Sequence, residues 1–194
     1  RYVQVEEGKI DVLFTWLDEI YLLQAQGYDF NYIDGNEVLK NSANSFICSL
    51  DTYENRKDVV QGFVKGIQMG TYFVAKNPEA AADIVLNRFP ALGSTVDWDG
   101  AVAVQKSLKI QSYGVTDEDF ESMSNPTGFF FDAKWDLNQD ACLASGVIAE
   151  KLDPAKVYTN EFVLNGMTDA DKARVEEDAA NYVFTSELAK AAGK

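Results

Sequence analysis

Histidine is absent from all 194 residues. Within this sequence that excludes Ser/His and Cys/His nucleophile systems and any His-ligated metal. Cysteine is nearly absent too. Cys48 and Cys142 stand far apart with no Cys-x-x-Cys spacing, so neither a zinc site nor a thioredoxin-type site is expected. The pair allows one disulfide in an oxidising compartment, or two free thiols. Positive charge is scarce: 17 Lys and Arg stand against 31 Asp and Glu, a net charge of −14. No basic cluster reverses this locally, so nucleic acid and anionic membrane surfaces are excluded as partners. No apolar run approaches the roughly 18 residues of a membrane span, and no glycine loop suited to cradling phosphate occurs. A signal peptide is not visible, but the chain opens on Arg1 in mid-pattern, which is compatible with a removed leader.

Enough apolar material is present for a real core, at 46% hydrophobic and 12% aromatic. Residues 1 to 50 have an α/β rhythm. Short apolar strands are expected at Ile10–Thr15, Phe30–Asp34 and Ser45–Leu50, with a helix over Trp16–Gln26 that Gly27 stops. Strands separated by helices imply a largely parallel sheet covered on both faces. Beyond residue 55 the pattern turns helical. Val60, Phe63, Val64, Ile67, Thr71 and Val74 keep helical spacing, and Gly62, Gly66 and Gly70 suggest close packing of that helix on a neighbour. Gln61, Lys65 and Gln68 rule out reading that glycine row as a membrane-dimer motif. Asn77-Pro78-Glu79 is a helix start that should run to just before Pro90. Further helices are expected near Asp97–Gln111, Asp117–Met123 and Ala133–Ser145, and Thr168 with Asp171 should cap a last one reaching towards Leu188. Three strands for about seven helices is too little sheet for a self-sufficient α/β domain, so the pattern suggests part of a larger fold.

Ligands of open parallel sheets bind at the carboxyl ends of strands, where the next helices begin. Phe14, Thr15 and Trp16 occupy such an end, followed by Asp18 and Glu19. Trp16 offers a flat face for stacking or for a cation, and Glu19 can accept hydrogen bonds or pair a cation. The same residues allow a structural account: Thr15 as N-cap with Asp18 reaching back, and Trp16 in the core. Asn41–Ser45 is a polar run that could line a cleft or form a turn. Gly128-Phe129-Phe130-Phe131, Trp98 and Trp135 suit packing better than a pocket, and the acidic runs at 117–119 and 176–178 suit solvated helix faces. No carboxylate stands isolated in an apolar setting that would prepare it for acid catalysis.

The phrase GKIDV, then TWLDEI and a following GYD, resembles periplasmic solute-binding proteins of ABC importers. The branch it is similar to includes the nitrate, taurine and alkanesulfonate receptors and the binders of thiamine-pyrimidine precursors. The resemblance continues through NSFICSL, VVQGFVKGIQMGTYFVAKNPEAAADIV, GFFFDAKWDLNQDACLASGVI and DPAKVYTNEFV. It implies a two-lobed Venus-flytrap fold of the α/β class, of which this is the C-terminal part. Residues 1–42 would complete the second lobe, and residues 43–194 would form the return crossing and the end of the first. Phe14, Thr15, Trp16, Glu19, Asn44 and Ser45 would line an interlobe cleft for a small solute, without metal or cofactor. The partners implied are an ABC permease and the N-terminal half of the same receptor, outside the cytoplasm, with or without a lipid anchor. An aromatic ring beside a carboxylate suits an aminopyrimidine, another nitrogen heterocycle or an amine better than a small organic anion. Alternatives are a flytrap sensor domain of a signalling protein, or a relative of the pyrimidine-synthesising enzymes. The missing histidine disfavours the latter.

Overall fold

A computed structural model of the protein describes residues 4–5, 7–35, 44–113 and 126–194. Among these residues the regular structure is helical: α1 Leu17–Ala25, α2 Leu50–Asn55, α3 Lys57–Lys76, α4 Pro78–Arg88, α5 Trp98–Tyr113, α6 Asp132–Ala144, α7 Glu161–Leu164, α8 Asp169–Ala180 and α9 Glu187–Ala191. Short 3-10 turns cover Pro90–Ser94 and Pro154–Lys156.

Local chemistry explains most of these boundaries. Asn77 Oδ1 accepts the Ala80 amide at 2.9 Å, with Pro78 just inside α4. Thr168 and Asp171 form the expected reciprocal capping box at the start of α8. Gly27 and Gly146 follow α1 and α6 with φ of 87° and 72°, the left-handed geometry that ends a helix. The helix expected at Asp117–Met123 lies outside the described residues.

The three expected strands are not strands. Residues 10–15, 30–34 and 45–49 carry no regular structure, with a bend at Asp11, no sheet ladder pairs them among the described residues, and Leu50 already opens α2. Strand-like sequence favours an extended backbone, whereas a sheet needs a neighbour to satisfy its N–H and C=O groups. Their apolar side chains are accordingly open to solvent. Ile33, Phe46 and Ile47 are all exposed.

The core lies where α4 and α5 meet the C-terminal segment, with Ala82, Leu86, Trp98, Ala101, Val102 and Ala189 buried together and Phe184 and Leu188 against them. Trp98 is thus the packing anchor its sequence context suggested, and its ring meets Phe184 edge-on at 6.0 Å. Alanines at 80–82 let α4 approach its neighbours closely.

Two polar devices fasten the C-terminal third. One is a seam along α3. Lys57 reaches Glu161 at 2.8 Å, and Gln61 donates to the carbonyls of Phe162 and Asn165 at 3.0 and 2.9 Å. Lys65 pairs with Asp171 at 2.7 Å, and Tyr72 and Lys76 share Glu176 at 2.6 and 3.1 Å. At the middle sits Gln68, only 4% exposed. Its amide donates to Thr127 and Val163 carbonyls at 3.2 and 3.1 Å and accepts the Met167 amide at 3.2 Å. Hydrogen bonds from Lys65 and Thr168 hold the Asp171 carboxyl far below the usual carboxylate range.

The opposite side of α3 corrects a second expectation. Gly62, Gly66 and Gly70 are open: a Cβ at any of them would meet nothing within 4 Å. The glycine row packs no neighbour among the described residues, because the helix spends its contacts on the polar seam.

The other device is Asp83, with 0% exposure. Its carboxylate accepts from Ser186 N–H at 2.9 Å, Thr185 N–H at 3.0 Å, Tyr182 O–H at 2.7 Å and Asn87 Nδ2 at 3.1 Å. This explains why the last helix does not run on to Leu188. The amides of Thr185 and Ser186 are taken by Asp83 rather than by carbonyls one turn back, so α8 ends at Ala180 and α9 starts afresh with Ser186 as N-cap. Both cysteines are free thiols.

Burial alone would raise the Asp83 pKa, but donors from Ser186, Thr185 and Tyr182 outweigh it and hold the group below its ordinary 3.8. Burial and the Asp83 bond push Tyr182 up to about 12. A depressed carboxyl contributes stability that is present above its unfolded value and lost as pH falls through the folded one. Stability against thermal unfolding is therefore expected to fall below about pH 4 in the parent. Asp83→Asn should lower stability at neutral pH by about 2–3 kcal/mol and flatten that acid limb. A second expectation concerns Gly166, where a Cβ would fall 1.5 Å from Gln68 Oε1. Gly166→Ala should expel the Gln68 amide and cost about 2–3 kcal/mol in denaturant unfolding, and most of that penalty should vanish in a Gln68→Ala background.

Candidate functional site

The extended stretch before α1 alternates. Val12, Phe14 and Trp16 are exposed at 75%, 94% and 63%, while Leu13 and Thr15 between them are half-buried. This is the period of two expected of an extended backbone. Trp16, at φ −95° and ψ 157°, is the last extended residue, and α1 begins at Leu17.

The capping account of TWLDE does not hold. Trp16, not Thr15, occupies the N-cap position, and no side chain caps the helix. Thr15 Oγ1 is instead buried without a hydrogen-bond partner, and so is Glu19 Oε2 one turn into the helix. Buried polar atoms normally find partners, and leaving one unmatched costs about 1–3 kcal/mol. Asp18 and Glu19 are individually favoured by the N-terminal end of the helix dipole, yet that explains neither orphan. Among the described residues no Lys or Arg forms an ion pair with Glu19.

What sets the position of this group is the seat of α1 on α5. Leu23 is buried, and Leu22 lies so close to Gly100 that a Cβ there would come within 2.8 Å of its Cδ1. Gly100 is in turn held by Asp97 Oδ1, which accepts its amide at 2.8 Å. The glycine that matters for α1 is therefore at 100, not in the row on α3.

A contribution that sequence reasoning missed comes from the second extended segment. Burial first, then the neighbouring Tyr32 and Asp34, push the Tyr21 phenol above its ordinary value. Tyr28 N–H donates to Leu23 O at 3.1 Å, which joins the start of this segment to the end of α1. The only advance signal was the aromatic–acid pairing in NYID.

Asn44 and Ser45 are exposed at the start of the third extended segment. That segment is tied to α3 by Phe46, whose ring meets Phe63 edge-on at 5.1 Å. Among the described residues no hydrogen bond, ion pair or ring contact joins Asn44 or Ser45 to Phe14–Glu19. Phe14, Thr15, Trp16 and Glu19 are neighbours along the chain at the start of α1. Asn41 to Ala43 lie outside the described residues.

The aromatic run near residue 130 is packing rather than pocket. Phe130, Trp135 and Tyr158 touch one another at 5.1–6.0 Å, and Asn160 pairs its side-chain amide with both backbone groups of Phe130 at 2.8 and 2.9 Å.

The junction at 14–19 presents an exposed indole at Trp16, while the Thr15 hydroxyl and Glu19 Oε2 lie buried and, among the described residues, without a hydrogen-bond partner. Residues 2–81, which contain all six candidate residues, match a family model described as NMT1/THI5 like. The chain is also 23% identical over 163 residues to riboflavin-binding protein RibY of Chloroflexus aurantiacus (strain ATCC 29366 / DSM 635 / J-10-fl). That alignment covers 84% of this chain and 45% of RibY, so the chain spans less than half the length of this curated relative. No solved structure gives a significant match.

Proposed function

We propose that the protein is part of the solute-binding component of an ABC importer, with the strand-end and helix-start at Phe14–Glu19 forming one wall of its ligand cleft. The observation that carries this is an exposed indole at Trp16 at the start of α1, followed one turn on by Glu19, whose Oε2 has no hydrogen-bond donor among the described residues. Stacking supplies affinity to a flat apolar body, and unmatched acceptors select a solute that brings its own N–H or O–H groups. A nitrogen heterocycle such as an aminopyrimidine fits this demand. The isoalloxazine of riboflavin, which RibY is named for binding, has the same character. A small organic anion fits only with cations from elsewhere.

In this account residues 1–42 belong to the second lobe and 43–194 to the return crossing and first lobe, with Asn44 and Ser45 entering the cleft at the crossing. The exposed, unpaired segments 10–15, 30–34 and 45–49 would gain sheet partners from an N-terminal half of the same receptor. The cognate permease would be the second macromolecular partner, and capture would occur outside the cytoplasm. Among the described residues no helix is long and apolar enough to cross a membrane. The chemistry is binding, not turnover.

Isothermal titration calorimetry with riboflavin and with cytosine tests this. Glu19→Gln should weaken binding of the better ligand about tenfold to a hundredfold, the loss expected for one charge-assisted hydrogen bond. Its thermal stability should not fall, because the oxygen removed has no partner in the unliganded protein. Equal affinity in parent and variant would place the site elsewhere.

A further inference from the structure

We propose that Asn165 is a site of self-modification, deamidated through the backbone nitrogen of Gly166, and that the buried Gln68 amide keeps the reaction shut while the C-terminal third is fastened. This holds whatever solute the protein binds. Asn165-Gly166 is the one Asn-Gly pair in the sequence. Asparagine is among the thermolabile residues, and a following glycine leaves the attacking nitrogen with no side chain to screen it. Here the glycine is not optional. A Cβ at 166 would stand 1.5 Å from Gln68 Oε1, so the contact that fastens the segment also dictates the labile pair.

Water is the only co-reactant the step needs. With its proton removed by base, Gly166 N bonds to Asn165 Cγ, and the Cγ–Nδ2 bond breaks to release ammonia. Water then opens the five-membered imide at either carbonyl, leaving aspartate or isoaspartate. Closing that ring requires the Gly166 nitrogen and Asn165 Cβ to eclipse each other about the Cα–C bond. In the folded chain Asn165 has φ −103° and ψ 21°, which holds them well apart. Hydrogen bonds on every side keep this geometry. Asn165 Nδ2 donates to Glu161 O at 2.8 Å, and Gln61 Nε2 donates to Asn165 O at 2.9 Å. Gly166 N–H donates to Val163 O at 3.3 Å, and Met167 N–H to Gln68 Oε1 at 3.2 Å. Asn165 itself is exposed, so the site is wet but locked. Isoaspartate would route the main chain through the former side chain, adding one carbon between residues 165 and 166. Gln61 and Gln68 are set for the shorter path, so a segment that opens and reacts no longer refastens as before. A brief opening is thereby recorded as a permanent change.

Conversion at residue 165 in mildly alkaline buffer should be followed by peptide mass mapping. The samples are the folded parent, the parent in guanidinium chloride, Gln68→Ala and Gln61→Ala. The lock predicts conversion in denaturant and a rate at least about tenfold lower in the folded parent, where reaction waits on local opening. Gln68→Ala should react about tenfold faster than the folded parent, and Gln61→Ala faster by a smaller factor. Parent molecules carrying isoaspartate should unfold at lower denaturant concentration than unconverted ones from the same incubation. Equal rates in the folded and denatured parent overturn the lock, and no conversion in denaturant overturns the site. A folded Gln68→Ala chain that reacts no faster than the parent overturns the part given to Gln68. If circular dichroism shows Gln68→Ala unfolded, Gln61→Ala decides, and a rate equal to the parent's overturns the part given to the seam.

Discussion

One helix carries the structure's asymmetry. Along α3, polar residues at 57, 61, 65, 68, 72 and 76 form a single stripe, and every one of them engages the C-terminal third of the chain. The ion pairs at its ends are solvent-exposed and individually worth little. The buried Gln68 amide is different, because its oxygen and nitrogen are all matched and nothing else could satisfy the backbone groups it holds. Asp83 repeats the logic on α4, replacing the helical partners of two amides with a carboxylate. Between them these two side chains decide where the C-terminal segments lie, and the apolar core of Leu86, Trp98 and Ala189 closes around the result.

That division of labour explains which features were legible in the sequence. Helices whose signals are local came through: α3 from its apolar spacing and α4 from Asn77-Pro78 with nearly the expected limits, and α8 at its start from the Thr168–Asp171 box. The break between α8 and α9 was not legible, since it depends on Asp83, about a hundred positions earlier in the chain. The glycine row of α3 looked like a packing device because spacing reveals that neighbours are possible, not that they are present. Gln61, Lys65 and Gln68 were noticed only as an interruption of that row, although they form the seam itself. The strands failed for the complementary reason. Strand preference is encoded within Ile10–Thr15, but pairing needs a second backbone at the right distance.

The candidate site was partly visible for the same reasons. TWLDE announced an aromatic and an acid at a helix start, which is a local fact. Whether Thr15 caps the helix or faces inward without a partner is settled only by how α1 is seated on α5 at Gly100. Burial and the charges of Tyr32 and Asp34 that raise the Tyr21 phenol likewise depend on packing that no spacing rule conveys. The placement of Asn44 and Ser45 at the same site remains a proposal, carried by the family likeness and not by any contact among the described residues.

The account stands or falls on where a solute makes contact. Hydrogen–deuterium exchange of the protein with and without saturating riboflavin measures this directly. The account predicts that protection concentrates in residues 14–19 and the adjoining turns of α1, with the α3 seam and the Asp83 clamp already protected and unchanged. Protection confined to another region, such as the open glycine face of α3, or no change anywhere, would contradict it.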